Sequence, residues 1–428
     1  MQNDRLIIGV MTGNSMDAVD VVMTRFSADK MEDVAGLSVP YSAEQKHRID
    51  GLRQKVIAQK TPAEQLVHDD EFLRIHEEYV GGVAAAINQL CEKYKIAKSQ
   101  ITAIGFHGKT LDHFPPSVAQ KKGENPYTTQ MGSAQRLADL TEIPVINDFR
   151  SALIQNGFEG APLAAPHNAH IAQIEGDGCY FNAGNTSNLA WVYEHKAQIS
   201  WDAGPFNEYV DNFMLRYTGA TMDLDGRCGK KGKLVPELLQ RLFDYGRDYY
   251  EMLPPKSGDP AYYGTEKIFA EIEKTYGVPH DVTPLFCDIL HTLEYFSGYL
   301  AAYAVAQTPE KILMTPQFIL FGGGWKNPLC SAGFQNVING KGYVLPEHQN
   351  LFAALRKRLG KCQIKYSAYG NFMEARLMAD LADHFITGQT WPLPELQGKK
   401  MVLGKMRRPH EQKVDDYLSA AARGWQKN

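Results

Sequence analysis

Asp202 is the carboxylate whose position best suits it to face a ligand. It lies in the segment Gln198-Ile-Ser-Trp-Asp-Ala-Gly-Pro-Phe-Asn207, where an apolar run predicts a strand and Asn207 is expected to cap the helix that follows. Open α/β sheets bind ligands at the carboxyl ends of their strands, so this carboxylate is expected beside a ligand site. The alternative is a turn closed by an Asx hydrogen bond, and position alone leaves both interpretations open.

Three short glycine turns are candidates for holding phosphate groups. They are Gly13-Asn14-Ser15, Gly184-Asn185-Thr186-Ser187 and Gly322-Gly323-Gly324. The first two lie between apolar runs and predict β-hairpins, and the third directly follows an apolar strand. Glycine permits close approach of the backbone, while Asn and Ser carry short donors. Each turn alone is typical of an ordinary hairpin, but the three together favour a nucleotide cleft between two lobes.

A near match to the P-loop pattern occurs at Ala103-Ile-Gly-Phe-His-Gly-Lys-Thr110. A P-loop must run directly into a helix whose N-terminus faces the phosphate. Pro115 and Pro116 would break the early turns of such a helix. We therefore expect no P-loop at this position.

Three further acids have open interpretations. Asp17 and Asp20 follow the first glycine turn and face either a metal ion or water. Glu374 ends the segment Asn371-Phe-Met-Glu374, which matches the N-cap and N3 spacing of a capping box. Its local pattern therefore indicates a structural role.

The elements that must position these residues alternate between strands and helices. Residues 62–95 carry apolar side chains at helical spacing, and further helical stretches separate the strands. This order predicts an α/β fold. The predicted strands are residues 6–11, 19–24, 101–106, 143–147, 179–182, 189–192 and 318–321.

Length, composition and charge narrow the class of protein. The 428 residues exceed what one compact core supports, so two or three domains are expected. With 44% hydrophobic and 22% charged residues, the chain is typical of a globular protein. A formal net charge of −4 provides no global basic field, so we expect a small-molecule ligand and no nucleic acid partner.

Cysteine usage and hydropathy indicate the compartment. Six widely spaced cysteines without a C-x-x-C pair predict free intracellular thiols. The N-terminus lacks a signal-peptide pattern, and no apolar run reaches the roughly 18 residues of a membrane span. A cytoplasmic protein without membrane contact is expected. The C-terminal stretch 397–428 is basic and is expected to form a solvated surface or a subunit contact, with a short helix over residues 414–425.

A colinear set of motifs covers most of the chain. Residues 9–20, GVMTGNSMDAVD, are similar to G-L-M-S-G-T-S-M-D-G-x-D, residues 105–110, GFHGKT, to G-x-H-G-Q-T, and residues 202–207, DAGPFN, to D-T-G-P-G-N. In this order the set resembles the anhydro-N-acetylmuramic acid kinase family of the actin, sugar kinase and Hsp70 ATPase superfamily. The other motifs are NDFR (147–150), GFEGAPL (157–163), NAGNTSN (182–188), DLDG (223–226), PPKSG (254–258), GGGWKN (322–327) and MEA (373–375).

The resemblance implies an α/β fold of the two-lobed actin-like ATPase (ribonuclease H-like) type, with duplicated mixed β-sheet domains and a central cleft. Residues 1–150 would form the first ATPase-like lobe. Residues 151–428 would form the second lobe with the basic C-terminal tail, unless the C-terminal segment returns to the first lobe. The resemblance also implies a homodimer that binds ATP, Mg²⁺ and a small sugar.

Roles for individual residues follow from the same resemblance. Asp202 would be the base that activates water at the anomeric carbon, while the freed sugar oxygen takes the γ-phosphoryl group of ATP. Asp17 and Glu374 would lie near Mg²⁺. The nucleotide and its phosphates would bind at Gly13, Asn14, Ser15, Gly184, Asn185, Gly322, Gly323 and Asn327, and the sugar at His107, Thr110, Arg150, Glu159 and Asn207.

The implied activity is an ATP-dependent phosphoryl transfer that hydrolytically opens a 1,6-anhydro sugar and phosphorylates O6. The expected substrate is 1,6-anhydro-N-acetylmuramic acid, from cell-wall recycling. The alternatives are a kinase of another anhydrosugar such as levoglucosan or of a plain sugar, and a catalytically silent nucleotide- or sugar-binding homologue. Retention of Asp202 argues against the silent homologue, because a binding protein needs no base.

Several positions depart from the family pattern. A negative charge at Glu159 would disfavour a sugar that bears a carboxylate if the side chain faced the pocket, and the alternative is that it points to solvent. Asp17, Asp202 and Glu374 are retained, so the resemblance implies the chemistry more firmly than the sugar. The departures are Asn14 (usually Thr), Ala18 (Gly), Asn185 (Gly), Phe206 (Gly) and Glu159 (Gln).

Overall fold

The structure, a computed structural model, divides into two compact units. The first comprises Met1–His167 and Phe372–Asn428, and the second comprises Asn168–Asn371. The boundary expected at 150/151 lies earlier in the chain than this division, and the segment after residue 371 belongs to the first unit. The structure describes residues 4–13, 16–27, 30–59, 63–258, 263–279, 283–411 and 416–420.

Strands and helices alternate along the chain, with short 3-10 turns between some of them. None of the helices in the described ranges combines the length and the apolar character needed to cross a bilayer. The strands are β1 (Arg5–Thr12), β2 (Ala18–Ser27), β3 (Lys30–Pro40), β4 (Ala103–Phe106), β5 (Lys109–Phe114), β6 (Tyr127–Met131), β7 (Val145–Asn147), β8 (Gly178–Ala183), β9 (Thr186–Tyr193), β10 (Lys196–Pro205), β11 (Gln317–Phe321), β12 (Gln363–Tyr366), β13 (Lys405–Arg407) and β14 (Leu418–Ala420). The helices are α1 (Ala43–Gln59), α2 (Ala63–Leu66), α3 (Asp70–Tyr94), α4 (Pro116–Lys122), α5 (Ala134–Thr141), α6 (Ser151–Gln155), α7 (Ala165–Glu175), α8 (Asn207–Thr218), α9 (Pro236–Tyr250), α10 (Thr265–Tyr276), α11 (Pro284–Ala306), α12 (Pro328–Ile338), α13 (Gln349–Leu359) and α14 (Met373–Thr387).

The first unit is built on a six-stranded sheet in the order β13-β7-β4-β1-β2-β3. Strands β1, β2 and β3 form an antiparallel meander, β4 is parallel to β1, and β7 is parallel to β4. Strand β13 adds an antiparallel edge to β7. A smaller sheet in the order β14-β6-β5 belongs to the same unit.

The second unit repeats this plan. Its sheet has the order β10-β9-β8-β11-β12, with an antiparallel meander of β8, β9 and β10 followed by the parallel strands β11 and β12. The first sheet shows the same succession in β3-β2-β1-β4-β7. The predicted α/β class with duplicated mixed sheets is therefore confirmed. Helix α11 is buried around most of its circumference and forms part of the core of the second unit.

Helix α14 returns the chain to the first unit and packs on β1 and β4. Glycines make this contact possible. A Cβ atom on Gly9 would lie 1.8 Å from the carbonyl oxygen of Ala375, and one on Gly105 would lie 2.0 Å from that of Met378. The contact holds the first turn of α14, which carries Glu374, against β1.

All the predicted strands correspond to strands of the structure, with ends that differ by up to three residues. Both predicted glycine hairpins are confirmed, as the antiparallel pairs β1-β2 and β8-β9. The P-loop interpretation is excluded as expected, because β4 is followed by Gly108, with a φ of 76°, and then by strand β5.

The helix predicted over residues 62–95 is two helices. Asp69 accepts hydrogen bonds from the backbone N–H groups of Glu71 and Phe72 and so caps a new helix, α3. The short helix α2 ends before this cap, at Leu66. A hydrophobic repeat alone does not reveal this interruption, because both helices turn apolar residues to the same core.

The basic C-terminal stretch supplies strands to the first unit. Strand β13 pairs with β7, and β14 pairs with β6. The short helix predicted over residues 414–425 is wrong at 418–420, which form β14, while 412–415 and 421–428 lie outside the described residues. Asp416 accepts hydrogen bonds from Ser133 Oγ and, at 3.0 Å, from the backbone N–H of Gln135. This segment therefore caps the start of α5.

Candidate active site

Asp202 lies in β10, three residues before the strand ends, with 5% of its surface exposed. Its Oδ2 accepts hydrogen bonds from Ser257 Oγ at 3.0 Å and from the backbone N–H of Gly258 at 2.9 Å. A bulge between Asp202 and Gly204 interrupts the pairing with β9. Because these donors come from a loop distant in sequence, that loop orients the carboxylate, and a local Asx turn does not account for its geometry.

Lys256 connects the loop that contains Ser257 and Gly258 to the end of helix α9. The backbone N–H of Asp202 donates to the carbonyl oxygen of Lys256 at 3.0 Å. The buried ammonium of Lys256 donates to the carbonyl oxygens of Tyr249 and Tyr250 at the end of α9, at 3.1 and 2.8 Å. No site residue was expected in this loop, and its PPKSG motif is the signal that marks it.

The turn between β8 and β9 holds the start of α8. The backbone N–H of Asn207 donates to the carbonyl oxygen of Gly184 at 3.0 Å, and that of Phe206 donates to Asn185 at 2.8 Å. Three predicted site residues, Gly184, Asn185 and Asn207, thus lie side by side. Helix α8 begins at Asn207 with Phe206 at the N-cap, so the prediction that Asn207 caps this helix is wrong by one position.

The third glycine turn packs on the second hairpin. Gly322 has a φ of 94°, and a Cβ atom there would lie 2.5 Å from the carbonyl oxygen of Ala183. A Cβ atom on Gly324 would lie 2.5 Å from Asn207 Oδ1. Gly323, between them, is exposed and has no described atom within 4 Å of its Cβ position. The turn therefore combines a close contact at both ends with an open backbone in its middle.

Phe206 replaces a small residue of the family pattern and turns into the core. Its side chain is fully buried, and its ring meets that of Trp325 edge to face with centroids 4.7 Å apart. The ring therefore packs beneath the glycine turn. This departure from the family pattern is accommodated by the core of the second unit.

Asn327 is bound at both ends of its side-chain amide. Its Oδ1 accepts the backbone N–H of Leu329 and caps α12, and its Nδ2 donates to Glu294 Oε1 at 2.6 Å. Glu294 is 0% exposed. Burial, with a smaller contribution from Asp223, raises the pKa of Glu294 to about 9. At neutral pH Asn327 is therefore held by an uncharged carboxylic acid, which no sequence motif marks.

The first hairpin is joined to β5 through Lys109. The fully buried Lys109 donates from Nζ to the carbonyl oxygen of Gly13 at 3.0 Å. The backbone N–H of Met16 reaches the same oxygen at 3.3 Å. Asn14 and Ser15 lie outside the described residues. The described part of the predicted phosphate turn is thus anchored from the neighbouring sheet.

Asp17 and Glu374, the predicted metal residues, are both exposed and both belong to the first unit. Asp17 forms an ion pair with Lys46 of α1 at 3.8 Å. Helix α14 begins at Met373 after Phe372, so Glu374 is the second helical residue and the capping-box interpretation, which requires the third, is wrong. Mg²⁺ is commonly held by one or two carboxylates with waters and substrate phosphates, and these two acids fit that donor set. Within the described ranges, no group of three metal-ligating side chains occurs.

His107, Thr110 and Arg150 all lie in the first unit, and His107 contacts Arg150 directly. The His107 Nε2 accepts a hydrogen bond from Arg150 Nε at 2.9 Å, and its Nδ1 lies 2.9 Å from the carbonyl oxygen of Gly108. Burial and the charge of Arg150 lower the pKa of His107 to about 3. A neutral imidazole therefore orients the guanidinium group. Thr110 is buried in β5.

Glu159 turns its carboxylate to the start of α4. Its Oε1 accepts the backbone N–H of Ser117 at 3.1 Å, and its Oε2 accepts the Ser117 hydroxyl at 2.6 Å. The carboxylate is half-buried and bound by Ser117, so it does not simply point to solvent. The negative charge is stabilised by donors of the protein.

Comparison with known proteins gives the family. Residues 5–352 match the family model described as anhydro-N-acetylmuramic acid kinase. Curated relatives of that name include one from Paramagnetospirillum magneticum, 30% identical over 76% of this chain and 81% of the relative, and one from Vibrio vulnificus, 28% identical over 93% of this chain and 96% of the relative. A solved ROK family glucokinase from Streptomyces griseus, in complex with glucose and AMPPNP, has a TM-score of 0.33 at 14% identity over 88% of this chain and 99% of that chain. The family match spans most of the sequence, so the chain belongs to the anhydro-N-acetylmuramic acid kinase family and is a phosphotransferase.

Proposed function

We propose that the protein uses ATP to phosphorylate O6 of 1,6-anhydro-N-acetylmuramic acid while water opens the anhydro bridge. The observation that carries this proposal is the buried Asp202 carboxylate, whose Oδ2 is oriented by Ser257 and Gly258. A base that is fixed before the reaction needs no reorganisation when a proton is transferred. Family membership supports both the phosphoryl transfer and the class of sugar.

In the proposed reaction, Asp202 takes a proton from the attacking water as the water oxygen bonds to C1 and the C1–O6 bond breaks. O6 bonds to the γ-phosphorus of ATP while the bond from that phosphorus to the bridging oxygen of ADP breaks. The products are the opened sugar 6-phosphate and ADP. Asp17 and Glu374 would hold Mg²⁺, which neutralises phosphate charge when bound.

Two features support a sugar that bears a carboxylate. The guanidinium group of Arg150 is oriented by neutral His107 and offers a planar cation, the partner that carboxylates prefer. The charge of Glu159 is stabilised by Ser117, which lessens the repulsion expected from an acid at this position of the family motif. We therefore propose that Arg150 binds the lactyl carboxylate of the muramic sugar, a contact that a neutral anhydrosugar cannot make.

The test is a phosphorylation assay with purified protein, ATP, Mg²⁺ and either 1,6-anhydro-N-acetylmuramic acid or levoglucosan. We expect kcat/KM for the muramic sugar to exceed that for levoglucosan at least about tenfold, since one charged contact is lost with the neutral sugar. Phosphorylation of levoglucosan alone would assign another anhydrosugar. Phosphorylation of neither would leave the silent homologue.

The role of Asp202 is tested in the same assay by Asp202→Asn, which keeps the shape but removes the proton acceptor. We expect kcat to fall at least about 10²-fold, while calorimetry still detects ATP binding. Turnover near the wild-type rate would remove Asp202 from the mechanism.

We further propose that the enzyme is a homodimer and acts in the cytoplasm. All six cysteines are free thiols, which is typical of a reducing compartment. ATP, the proposed donor, is available there. Light scattering is expected to give the mass of two chains, and the mass of one chain would reject the dimer.

A further inference from the structure

Lys109 is a buried cation beside the predicted phosphate turn and is not among the expected site residues. It begins β5, its side chain is 0% exposed, and its Nζ donates to the carbonyl oxygen of Gly13 at 3.0 Å. Burying an ammonium group costs free energy unless hydrogen bonds and opposite charges offset that cost. Apolar packing therefore does not explain a lysine at this position.

The surroundings of Lys109 include charged groups of α1. Burial raises the pKa of Asp50, and the positive charge of Lys109 opposes this shift more strongly than any other nearby cation does. On the outer side, Lys46 of the same helix pairs with Asp17. Two lysines therefore contact the first hairpin, Lys109 from the protein interior and Lys46 at the surface.

The carbonyl oxygen of Gly13 is the point at which Lys109 acts. It receives both the Lys109 ammonium and the backbone N–H of Met16. A carbonyl oxygen directed at phosphate oxygens would repel them, whereas one held by a buried donor keeps the negative end of its dipole on the protein side. The contact therefore sets the orientation of the peptide at which β1 enters the turn.

We propose that Lys109 is a positioning residue for ATP: it holds the Gly13 carbonyl toward β5 and provides a buried positive charge beside Gly13 that strengthens binding of ATP phosphates. The inference rests on the proposed function and deepens it. The family motif G-x-H-G-Q-T has a neutral Gln where this chain has Lys109, so the charge distinguishes this chain from that pattern. A preorganised charge in a region of low dielectric acts on a nearby anion more strongly than one in water.

The test compares Lys109→Met and Lys109→Gln with the wild type by calorimetric titration with ATP and, separately, with 1,6-anhydro-N-acetylmuramic acid. Met preserves much of the volume without the charge or the donor, and Gln restores the neutral amide of the family motif. We expect the Kd for ATP to rise about tenfold in Lys109→Met and by a smaller factor in Lys109→Gln. The Kd for the sugar is expected to stay within about twofold.

Lys93→Gln is the matched control, because it removes an exposed positive charge of the same unit at the end of α3. It should leave the Kd for ATP unchanged. Wild-type ATP affinity in both Lys109 variants would overturn the inference, as would equal losses for ATP and sugar, which indicate general damage. If Lys109→Met does not fold, Lys109→Gln decides alone.

The two proposals fail in different ways. A wild-type protein that binds ATP but phosphorylates neither sugar would reject the proposed function, while the ATP titrations would still decide on Lys109. A wild-type protein that binds no ATP would reject both. Weakened ATP binding in the variants, together with an unchanged sugar affinity, supports Lys109 as a positioning residue.

Discussion

A carboxylate serves best as a base when its orientation is set before the substrate arrives. The Ser257 hydroxyl helps to orient Asp202, the proposed base. Ser257→Ala removes one of two donors to Oδ2 and leaves the Gly258 N–H in place. We expect kcat to fall about tenfold, since a hydrogen bond to a charged group contributes about 1.5–3 kcal/mol, with KM for ATP unchanged. Ser257→Thr keeps a hydroxyl and should recover activity in steady-state assays. An unchanged kcat in Ser257→Ala would show that Gly258 suffices.

Glu294 makes a prediction about pH. Its pKa of about 9 in the folded protein exceeds the ordinary value of 4.5, so unfolding at neutral pH releases a proton. The stability it contributes is fully present below pH 4.5 and is lost as the pH rises toward 9. Glu294→Gln keeps a neutral group that accepts from Asn327 and does not titrate. We expect the difference in the free energy of unfolding between the variant and the wild type to grow by at least about 1 kcal/mol from pH 6 to pH 8, as measured by urea denaturation. Parallel stability profiles for the two proteins would contradict the assigned pKa.

The residue-level analysis singled out Asp202 through its strand and its motif, but it did not identify the groups that orient this carboxylate. Ser257 and Gly258 meet Asp202 across more than fifty positions, and no local pattern encodes that contact. Glu294 lies on an apolar helix and has no motif at all. For Glu374 a local pattern was misleading. Its spacing from Asn371 matches a capping box, but Phe372 has a positive φ and is the N-cap, so the helix begins one residue later than that pattern requires.

At the scale of elements, the contact between α14 and the first sheet depends on glycine. Gly9→Ala would bring a Cβ atom against the backbone of α14, which cannot move as a flexible side chain can. We expect a loss of at least about 2 kcal/mol in the free energy of unfolding, measured by denaturant titration. Gly51→Ala is the control: no described atom lies within 4 Å of its Cβ position, and in helix α1 alanine should gain up to about 1 kcal/mol. Equal stability of Gly9→Ala and the wild type would mean that α14 shifts without cost.

Elements that are marked by a local sequence pattern could be predicted, whereas elements that form only through contact with another element could not. The hairpins β1-β2 and β8-β9 follow from apolar runs on either side of a glycine turn. Strand β14 is three residues long and exists through its pairing with β6, so its sequence suggested a helix instead. The break between α2 and α3 depends on the single cap at Asp69.

For the whole molecule, duplication was the most informative prediction. The family resemblance implied duplicated mixed β-sheet domains, and the two sheets share one strand succession. The course of the chain between the units was harder to predict, because α14, β13 and β14 carry no sign of the unit to which they return. Their destination is decided by the faces they cover, such as the glycine-lined contact on β1 and β4.

The discontinuous first unit has a consequence for synthesis on the ribosome. Strands β1 and β4 are translated early, but α14, which covers them, emerges only after the whole second unit. About 270 residues separate the end of β4 at Phe106 from Met373, and they are added at about 5–20 residues per second. The apolar strands are exposed to chaperones during this interval. A chain that is truncated before Met373 contains Asp202 and the loop that orients it, but not the helix that carries Glu374. Such truncated products would keep the proposed base yet lack one of the proposed metal ligands.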